Sequence, residues 1–532
     1  MVRAVSHISS RTAILLFLPF VFPWATYAAD PAPFTMLEAV RSTIALHPLV
    51  KAAEQDFAAS VARRVQASGA FDLRYSWTVN QSRTYSPITD YNHLLALAAG
   101  INTFSDTVNA TDVNAGATQL FHNGISVTPT FDLNHLGDNF SDIGGVNSGR
   151  IDFQVNIPLR KGRGRDAVTA SERSFSEAAD ASALQKNETI AGLVYSTATA
   201  YWNYVAALRV FEIRQESERR GAEFLQSVRT LISAGRMPGI QSHEAIANLE
   251  AQTSARIAAA QQIVVARQNL GYAMGVTAIE AQSIPVPSET FPESTPKVPM
   301  ASANPGGWIA TALKLRAGYL ATDKLSSSAD LRRTSARDQL QPQLDVFVKS
   351  GYSALTQGSR PDQFLLGAVK RIEGLDLYGG ITYSFSRGNN LAKGQFEEAE
   401  ANYRKSLYER NDTANQIAAA VLSALSGVDT SAAAMEGARR SVAEYQIALD
   451  GAREQLRLAA GSLLDLLTIE ARLTAAQLDL VNAQLNYALA IVRLRYAGGT
   501  MLGADPLHPT LDRHVFFQPP ASPDPEQRDP QR

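Results

Sequence analysis

A heptad pattern between Arg457 and Leu502 constrains this chain more than any other feature of its sequence. Alanines recur every seven residues, and a line of larger residues recurs beside them. Two adjacent heptad positions held in this way predict a coiled-coil seam, because alanine lets neighbouring helices approach closely. The strict period of 3.5 residues predicts a left-handed supercoil. The seam alanines are Ala476, Ala483, Ala490 and Ala497, and the larger residues are Leu473, Leu480, Tyr487 and Leu494.

The same segment occurs earlier in the chain, at a shift of 224 residues. Without a gap, this shift aligns Leu249, Ala259, Ala266, Leu270, Tyr272, Ala273 and Gly275 with Leu473, Ala483, Ala490, Leu494, Tyr496, Ala497 and Gly499. Tyrosine and glycine matches are unexpected between two unrelated alanine-rich helices. The sequence therefore predicts an internal duplication, with two similar halves of one architecture.

Charge and cysteine content exclude several classes of protein. The chain has 49 basic and 51 acidic residues, which leaves no basic field for a nucleic acid. It has no cysteine, and therefore no disulfide, no thiolate metal site and no lipidated cysteine. We expect packing and assembly to stabilise the fold.

Residues 1–29 are typical of a secretory signal peptide. Arg3 and Arg11 precede an apolar run, and small residues follow at Thr26 to Ala29. The run is too short for a membrane anchor, and no later stretch has about 20 consecutive apolar residues. If the mature chain crosses a membrane, we expect it to do so as β-strands.

The rest of the chain alternates between helical and strand patterns. Residues 30–281 form the first predicted repeat, with short helices, four strand-like segments and a long helical hairpin. A proline-rich linker spans 282–307, and the second repeat spans 308–502, with helices, two strands and another long hairpin. The proline-rich tail, 503–532, is predicted to be disordered.

The clearest strand signal is RIDFQVNIPL, in which Ile151, Phe153 and Val155 alternate with Asp152, Gln154 and Asn156. In a soluble sandwich the apolar face would be the core, whereas in a membrane barrel it would face lipid. Periodicity alone leaves both possibilities open. Aligning the halves on their helices shows that the strand region of the first half is about 43 residues longer. This is enough for one extra hairpin, either inside the sheet or outside it.

The order of helix, strands, very long helix, tight turn and heptad helix, given twice behind a leader, resembles the TolC-like outer membrane efflux protein family. The segments that carry the resemblance are FTMLEAVRSTIALHPLVKAAE, LISAGRMPGIQSHEA, GSLLDLLTIEARLTAAQLDLVNAQLNYALA and AGGTML. The resemblance implies a mainly α-helical fold with a membrane β-barrel portion, closed into an α-barrel and a β-barrel by three copies. It also implies four strands per protomer. The longer strand region of the first half leaves open whether an extra hairpin joins the barrel or folds outside it.

The resemblance also implies an entrance at the periplasmic hairpin tips, closed by acidic residues in a pattern like LDVLDA. Here Asp465 matches the first carboxylate and Thr468 replaces the second, while Gln241 is at the matching place in the first half. Asp465 also follows Ser462 by three residues, which predicts a capping box. Asp465 could therefore close the entrance, cap the helix, or do both.

The sequence gives no sign of catalysis. His243-Glu244 lacks the second histidine of a zinc helix, and Tyr201, Trp202 and Tyr204 are typical of helix packing. The glycines of Arg160–Asp166 lack the spacing of a phosphate loop. We therefore expect no enzyme, no cofactor and no metal.

Two functions remain on this basis. The first is a trimeric channel of the outer membrane, with its helical part in the periplasm. It would be the passive exit duct of a tripartite efflux or type I secretion system, working with a periplasmic adaptor, an inner-membrane pump and outer membrane lipid. The second is a structural coiled-coil protein of the periplasm or cell surface. The sequence identifies neither the cargo nor the adaptor.

Overall fold

The protein is a mainly α-helical chain with one antiparallel sheet, seen in a computed structural model that describes residues 34–139, 145–293, 304–366, 374–457, 462–503 and 510–521. The predicted signal peptide lies outside the described residues. The helices are α1 Met36–Leu46, α2 Pro48–Ser68, α3 Asp90–Ala98, α4 Arg165–Val168, α5 Ala170–Ser233, α6 Gln241–Met274, α7 Pro305–Leu315, α8 Ala317–Gln339, α9 Pro361–Leu366, α10 Asn390–Arg457 and α11 Leu463–Ala497. The strands are β1 Arg74–Pro87, β2 Ser105–Leu120, β3 Ser126–Gly137, β4 Val146–Pro158, β5 Gln343–Gln357 and β6 Asp376–Ser384.

Two very long helices dominate the fold. Helix α5 has 64 residues and α10 has 68, so each is about 100 Å long at 1.5 Å per residue. Helix α6 returns along α5, α11 packs along α10, and α11 also packs against α5. The four helices therefore lie side by side in the order α6, α5, α11, α10. One stretch of α10 is long and apolar enough by composition to cross a membrane, and 28% of that stretch is buried in the chain.

The predicted duplication is visible where short helices meet the ends of the hairpins. Helices α1 and α2 join at His47, and Gly275 at the end of α6 lies against it: a Cβ added to Gly275 would be 2.4 Å from the His47 Cα. In the second half, α7 and α8 join at Arg316, and a Cβ on Gly499 would be 2.9 Å from its backbone nitrogen. Both glycines have positive φ. The aligned glycines thus make the same close approach in each half.

Local signals at helix starts and turns agree with the sequence. Thr35 and Glu38 form a capping box at the start of α1, and Pro48 begins α2 after His47. A hairpin turn at Asn123-Gly124 joins β2 to β3, where the Gly124 amide donates to the Phe121 carbonyl. Only Gly124 has positive φ there. Its Cβ would be 2.1 Å from the Gly162 carbonyl oxygen, so the turn is docked against the loop that leads to α4.

The six strands form one antiparallel sheet in the order β1-β2-β3-β4-β5-β6. Four strands come before α5 and two before α10, and the β4–β5 pairing joins the two groups. The additional hairpin of the first half is β2–β3, and it lies inside the sheet, paired to β1 on one side and to β4 on the other. Helices α3 and α9, which the periodicity does not predict, lie in the connections β1–β2 and β5–β6.

Part of the tail is folded, so the prediction of disorder is wrong for residues 510–521. The Phe516 side chain is fully buried, and the Phe517 ring meets the Trp202 indole edge to face at 5.4 Å. The Arg513 guanidinium pairs with the buried Glu289 carboxylate of the predicted linker at 2.9 Å. Proline content indicated disorder, but these aromatic and ionic contacts hold the segment against α5.

Candidate functional site: the two-faced sheet and the hairpin tips

The sheet has one apolar face, whose large side chains are mostly exposed on β1 and β6 and partly exposed on β4 and β5, and are half-buried, or buried at Leu133, on β2 and β3. Side chains alternate between the two faces along each strand, and the register keeps odd-numbered positions of β1–β4 on the apolar face. Trp77 is 77% exposed and Phe153 is 51% exposed, and on β6 Ile381 is 70% exposed. Other exposed residues of this face are Tyr75, Val79, Ile151, Val348, Tyr352, Leu377 and Tyr383.

The opposite face is polar, and its charged groups are partly buried. Asp152 is 1% exposed and accepts from Arg150 Nε at 2.7 Å and from Lys349 Nζ at 2.9 Å. Gly351 lies opposite Asp152 across the β4–β5 pairing, and a Cβ there would be 2.3 Å from the carboxylate. Asn114 donates to Asp132, and Asn134 donates to Asp112, between β2 and β3. Other members of this face are Thr78, Asn80, Thr130, Gln154, Asn156, Asp345, Asp376 and Thr382.

This arrangement is the reverse of a soluble sandwich, whose apolar face would be its core. A soluble protein rarely leaves an apolar patch of this size in water. A membrane strand, in contrast, turns apolar side chains toward lipid and polar side chains toward an aqueous lumen. The exposure of the two faces therefore favours the membrane interpretation of the alternating strands, which periodicity alone left open.

Both edges of the sheet are open within the part of the chain that the structure describes. Strand β1 pairs only with β2, and β6 pairs only with β5. All residues of β1 are exposed, including Tyr75 and Trp77. An open edge with exposed aromatic residues is a template for pairing with another strand. In lipid such an edge is not tolerated, so the sheet requires further strands at both ends.

The far ends of the two hairpins pack together through apolar residues. Leu463 and Leu466 of α11 contact a cluster that includes Phe224, Leu225 and Val228 of α5. Asp465 and Thr468 lie on the other side of α11, and both are exposed. The Ser462 hydroxyl accepts from the Leu464 amide at 3.2 Å, which confirms a serine N-cap. The Asp465 carboxylate makes no reciprocal bond to Ser462 within the described residues, so the full capping box is not formed.

The first hairpin tip carries an acidic residue that the sequence analysis did not assign. Gln241 begins α6, and its buried Oε1 has no hydrogen-bond partner in the described structure. Glu244, one turn further, is exposed in the first turn of α6. The shift of 224 residues that aligns Gln241 with Asp465 also aligns Glu244 with Thr468. The first turns of α6 and α11 therefore each present one exposed carboxylate, and applying the duplication to Thr468 would have identified Glu244.

A buried polar network joins the two hairpins just above the tips. Arg220 of α5 pairs with Glu470 of α11, with 3.0 Å between Nε and Oε1, and both side chains are at most 9% exposed. Arg220 also donates to the Thr474 hydroxyl at 3.3 Å, and Ser217 donates to Gln252 of α6 at 3.0 Å. The network therefore links α6, α5 and α11, and sequence periodicity gave no signal for it.

The alanines of the predicted seam lie inside the helical pairs. Ala483 and Ala497 belong to the core between α10, α11 and α7, and Ala266 belongs to the core around α5 and α6. Ala490 is half-buried at the edge of the second-half core. Ala259 and Ala476 are also buried.

The aromatic cluster of α5 is part of the core. Tyr201, Trp202 and Tyr204 are at most 1% exposed, and the Tyr201 hydroxyl donates to the Phe34 carbonyl at 3.3 Å. Burial raises the pKa of Tyr201 well above its usual range. Packing is thus the role of all three. Among the described residues, no group of three or more His, Asp or Glu side chains is placed to hold a metal ion.

Comparisons with known proteins give similarity in structure but not in sequence. No protein-family model matches the chain, and no curated protein matches it. The outer-membrane channel OprN has a TM-score of 0.65 at 14% identity, covering 88% of this chain and 90% of that one. The Campylobacter jejuni CmeC outer membrane channel has a TM-score of 0.62 at 13% identity, covering 87% and 85%. The Vibrio cholerae outer membrane protein VceC has a TM-score of 0.61 at 15% identity, covering 87% and 96%.

These similarities extend over 87–88% of this chain. The chain has the TolC-like outer membrane channel fold, and the prediction of a mainly helical protein with an antiparallel sheet is confirmed.

Proposed function

We propose that the protein is a passive channel of the outer membrane, assembled from three copies of this chain. The observation that carries the proposal is the two-faced sheet, with exposed apolar residues such as Trp77 and Ile381 on one side and the buried Asp152 cluster on the other. Three sheets side by side would supply a lipid-facing wall, and the long helices below would continue the lumen into the periplasm.

Assembly is favoured by both parts of the molecule. The open edges β1 and β6 need partner strands, and a ring of identical copies supplies them without leaving an edge. The outer helices α6 and α10 of one protomer are the natural neighbours of the next protomer, because α5 and α11 lie between them. A closed ring would thus complete the sheet and the helical wall together.

In this proposal the tube is the exit duct of a tripartite efflux or type I secretion system. An inner-membrane pump would supply the energy, and a periplasmic adaptor would contact the hairpin tips. No catalytic step is required of this chain. Glu244 and Asp465, one on each hairpin tip, would give a threefold ring six carboxylates at the entrance. Such a ring favours cations and restrains anions by simple charge.

The alternative is a structural coiled-coil protein with no transport role. It accounts for the long hairpins equally well, but it leaves the exposed apolar face of the sheet in water. Membrane fractionation separates the two. A structural periplasmic protein would be recovered without detergent, whereas a channel requires detergent extraction from outer membranes.

Planar-bilayer recording tests the channel itself. Purified trimer is expected to give discrete conductance steps, and the variant Glu244→Gln/Asp465→Asn is expected to conduct with a lower preference for cations. Asp479→Asn, an exposed carboxylate on α11 away from the tips, is the matched control. Folded trimer that conducts neither as wild type nor as the tip variant would contradict the proposal.

A further inference from the structure

We propose that the β2–β3 hairpin widens the pore, so that three copies close an 18-stranded barrel rather than a 12-stranded one. This inference rests on the proposed trimeric channel. The second half contributes two strands to the sheet, and the first half contributes four. Two halves of two strands would give four strands per protomer and twelve per trimer. The hairpin raises these numbers to six and eighteen.

The hairpin is part of the sheet along its full length. Strand β3 pairs with β4 from Ser126 opposite Asn156 to Leu136 opposite Val146. Strand β2 pairs with β1 from Ser105 opposite Pro87 to Thr118 opposite Arg74. The β2–β3 turn is fixed as well, because the Gly164 amide donates to the Asn123 carbonyl at 3.2 Å. A hairpin paired on both sides and anchored at its turn is not an appendage.

The hairpin also continues both faces of the sheet. Its apolar face carries Val113, Phe131 and Leu133 in line with Trp77 of β1 and Ile151 of β4. Its polar face carries the Asn114–Asp132 and Asn134–Asp112 pairs in line with Arg150 and Ser148 of β4. If the hairpin lay outside the wall, this alternation would have no function.

An eighteen-stranded barrel is compatible with the size of the helical ring. Twelve helices at about 9 Å spacing have a perimeter of about 110 Å. Eighteen strands spaced about 4.8 Å and tilted about 40° also give about 110 Å, whereas twelve give about 75 Å. The wider barrel therefore meets the helical tube with little taper. Its cross-section is roughly twice that of a twelve-stranded barrel, since diameter grows about linearly with strand number.

Cysteine labelling in outer membranes tests whether the hairpin is in the wall, and the chain has no cysteine to interfere. Thr130→Cys and Phe131→Cys probe the two faces of β3, and Gln154→Cys and Phe153→Cys probe those of β4. A charged, membrane-impermeant maleimide is expected to label positions 130 and 154 at least about tenfold faster than 131 and 153, because thiols in apolar surroundings react slowly.

The outcomes are separable. Equal labelling at 130 and 131, with the expected difference at 153 and 154, would overturn the inference and leave the channel in place. Equal labelling at all four positions would overturn the proposed function, because the sheet would then not face lipid.

Pore width is tested by deleting residues 105–137, which removes β2, β3 and their turn. In this variant β1 and β4 would be neighbouring antiparallel strands, and the odd-numbered residues of both would remain on the apolar face. Maleimides on polyethylene glycols of increasing mass, applied from outside the cell, are expected to reach Gln154→Cys with a smaller size limit in the deletion variant. An unchanged size limit in a folded deletion trimer would overturn the inference. If the deletion variant does not assemble, the labelling pattern at 130 and 131 decides.

Discussion

The two halves of the molecule share their helices but differ in their strands. Each half has two short helices, a long hairpin and a glycine that approaches the junction between the short helices: Gly275 at His47 and Gly499 at Arg316. The first half alone has the β2–β3 hairpin. The number and arrangement of the helices are thus the same in both halves, where helices of the same heptad pattern pack together. The sheet, in contrast, accepts a pair of strands without changing the polarity of either face.

This difference between the halves shows that helices and strands do not tolerate insertions equally. The two helices of a hairpin must match turn by turn along the return helix, which is about 50 Å long for the 34 residues of α6 and the 35 of α11, so an insertion in either helix disrupts the packing. A sheet accepts a hairpin of two antiparallel strands, because two strands preserve the direction and the polarity of the next one. Barrel width is therefore the property that this architecture can vary most easily.

The largest expected effect comes from a charge in the helical core. Ala483 is buried between α10 and α11, so Ala483→Glu is expected to abolish trimer formation, because it places an unpaired carboxylate among apolar side chains. Ala490 is half-buried, and Ala490→Glu is expected to reduce trimer without abolishing it. The exposed neighbour variant Asn482→Glu is the control. Mass measurement of detergent-extracted protein checks this, and wild-type amounts of trimer from Ala483→Glu would show that the core is assigned wrongly.

The next effect concerns the ion pair that joins the halves. Glu470→Ala removes the buried partner of Arg220 and leaves only the half-exposed Glu216 carboxylate, 3.5 Å from Nη1, so we expect a cost of about 3 kcal/mol in the free energy of unfolding. The double variant Arg220→Met/Glu470→Leu is expected to recover most of this loss, since neither charge remains. Urea unfolding of the extracted protein is the measurement. Equal losses in the single and double variants would mean that packing, and not the unpaired charge, causes the effect.

The paired glycines give a direct comparison of the halves. Gly275→Ala and Gly499→Ala each force an L-residue into positive φ and into contact with backbone, at about 1–3 kcal/mol each. The loss should be larger at Gly275, where the added Cβ would be 2.4 Å from the nearest atom, than at Gly499, where it would be 2.9 Å. Gly437→Ala, on α10 with no atom within 4 Å of the added Cβ, is expected to be neutral or slightly stabilising. Equal changes in the free energy of unfolding for all three variants would show that the close approach at Gly275 and Gly499 has no special role.

The smallest effect is a dependence on pH in the first half alone. His47 caps α2 by accepting from the Leu49 amide at 3.1 Å through Nδ1, which requires that nitrogen to be unprotonated. Burial lowers the pKa of His47 below its usual value of 6.5. The folded protein thus binds fewer protons at this site, so its stabilising contribution is present above pH 6.5 and decreases as the pH falls through the lowered value.

The matched variant is His47→Asn, which keeps a capping side chain and does not titrate. Its thermal midpoint is expected to fall less than that of the wild type between pH 7 and pH 5. The corresponding residue of the second half is Arg316, which pairs with Glu188. Parallel pH profiles for wild type and His47→Asn would exclude His47 as the source.

Much of this fold is predictable from sequence because its signals are long and repeated. The heptad segment and its copy at a shift of 224 residues each arise from local chemistry, and the structure contains them as α11 and α6. The local sequence of RIDFQVNIPL does not determine which of its faces contacts water, because this depends on what surrounds the sheet. The buried tail residue Phe516 and the Arg220–Glu470 pair also escape prediction, because each depends on a contact between segments distant in sequence.

The central claim is that three copies of this chain enclose one continuous lumen whose outer membrane wall is a closed sheet. Electron cryo-microscopy of the detergent-extracted assembly in a lipid nanodisc tests it most directly. The account predicts a threefold particle with eighteen strands in the lipid disc and a water-filled bore continuing into a ring of twelve helices. A monomer with no continuous bore would contradict it.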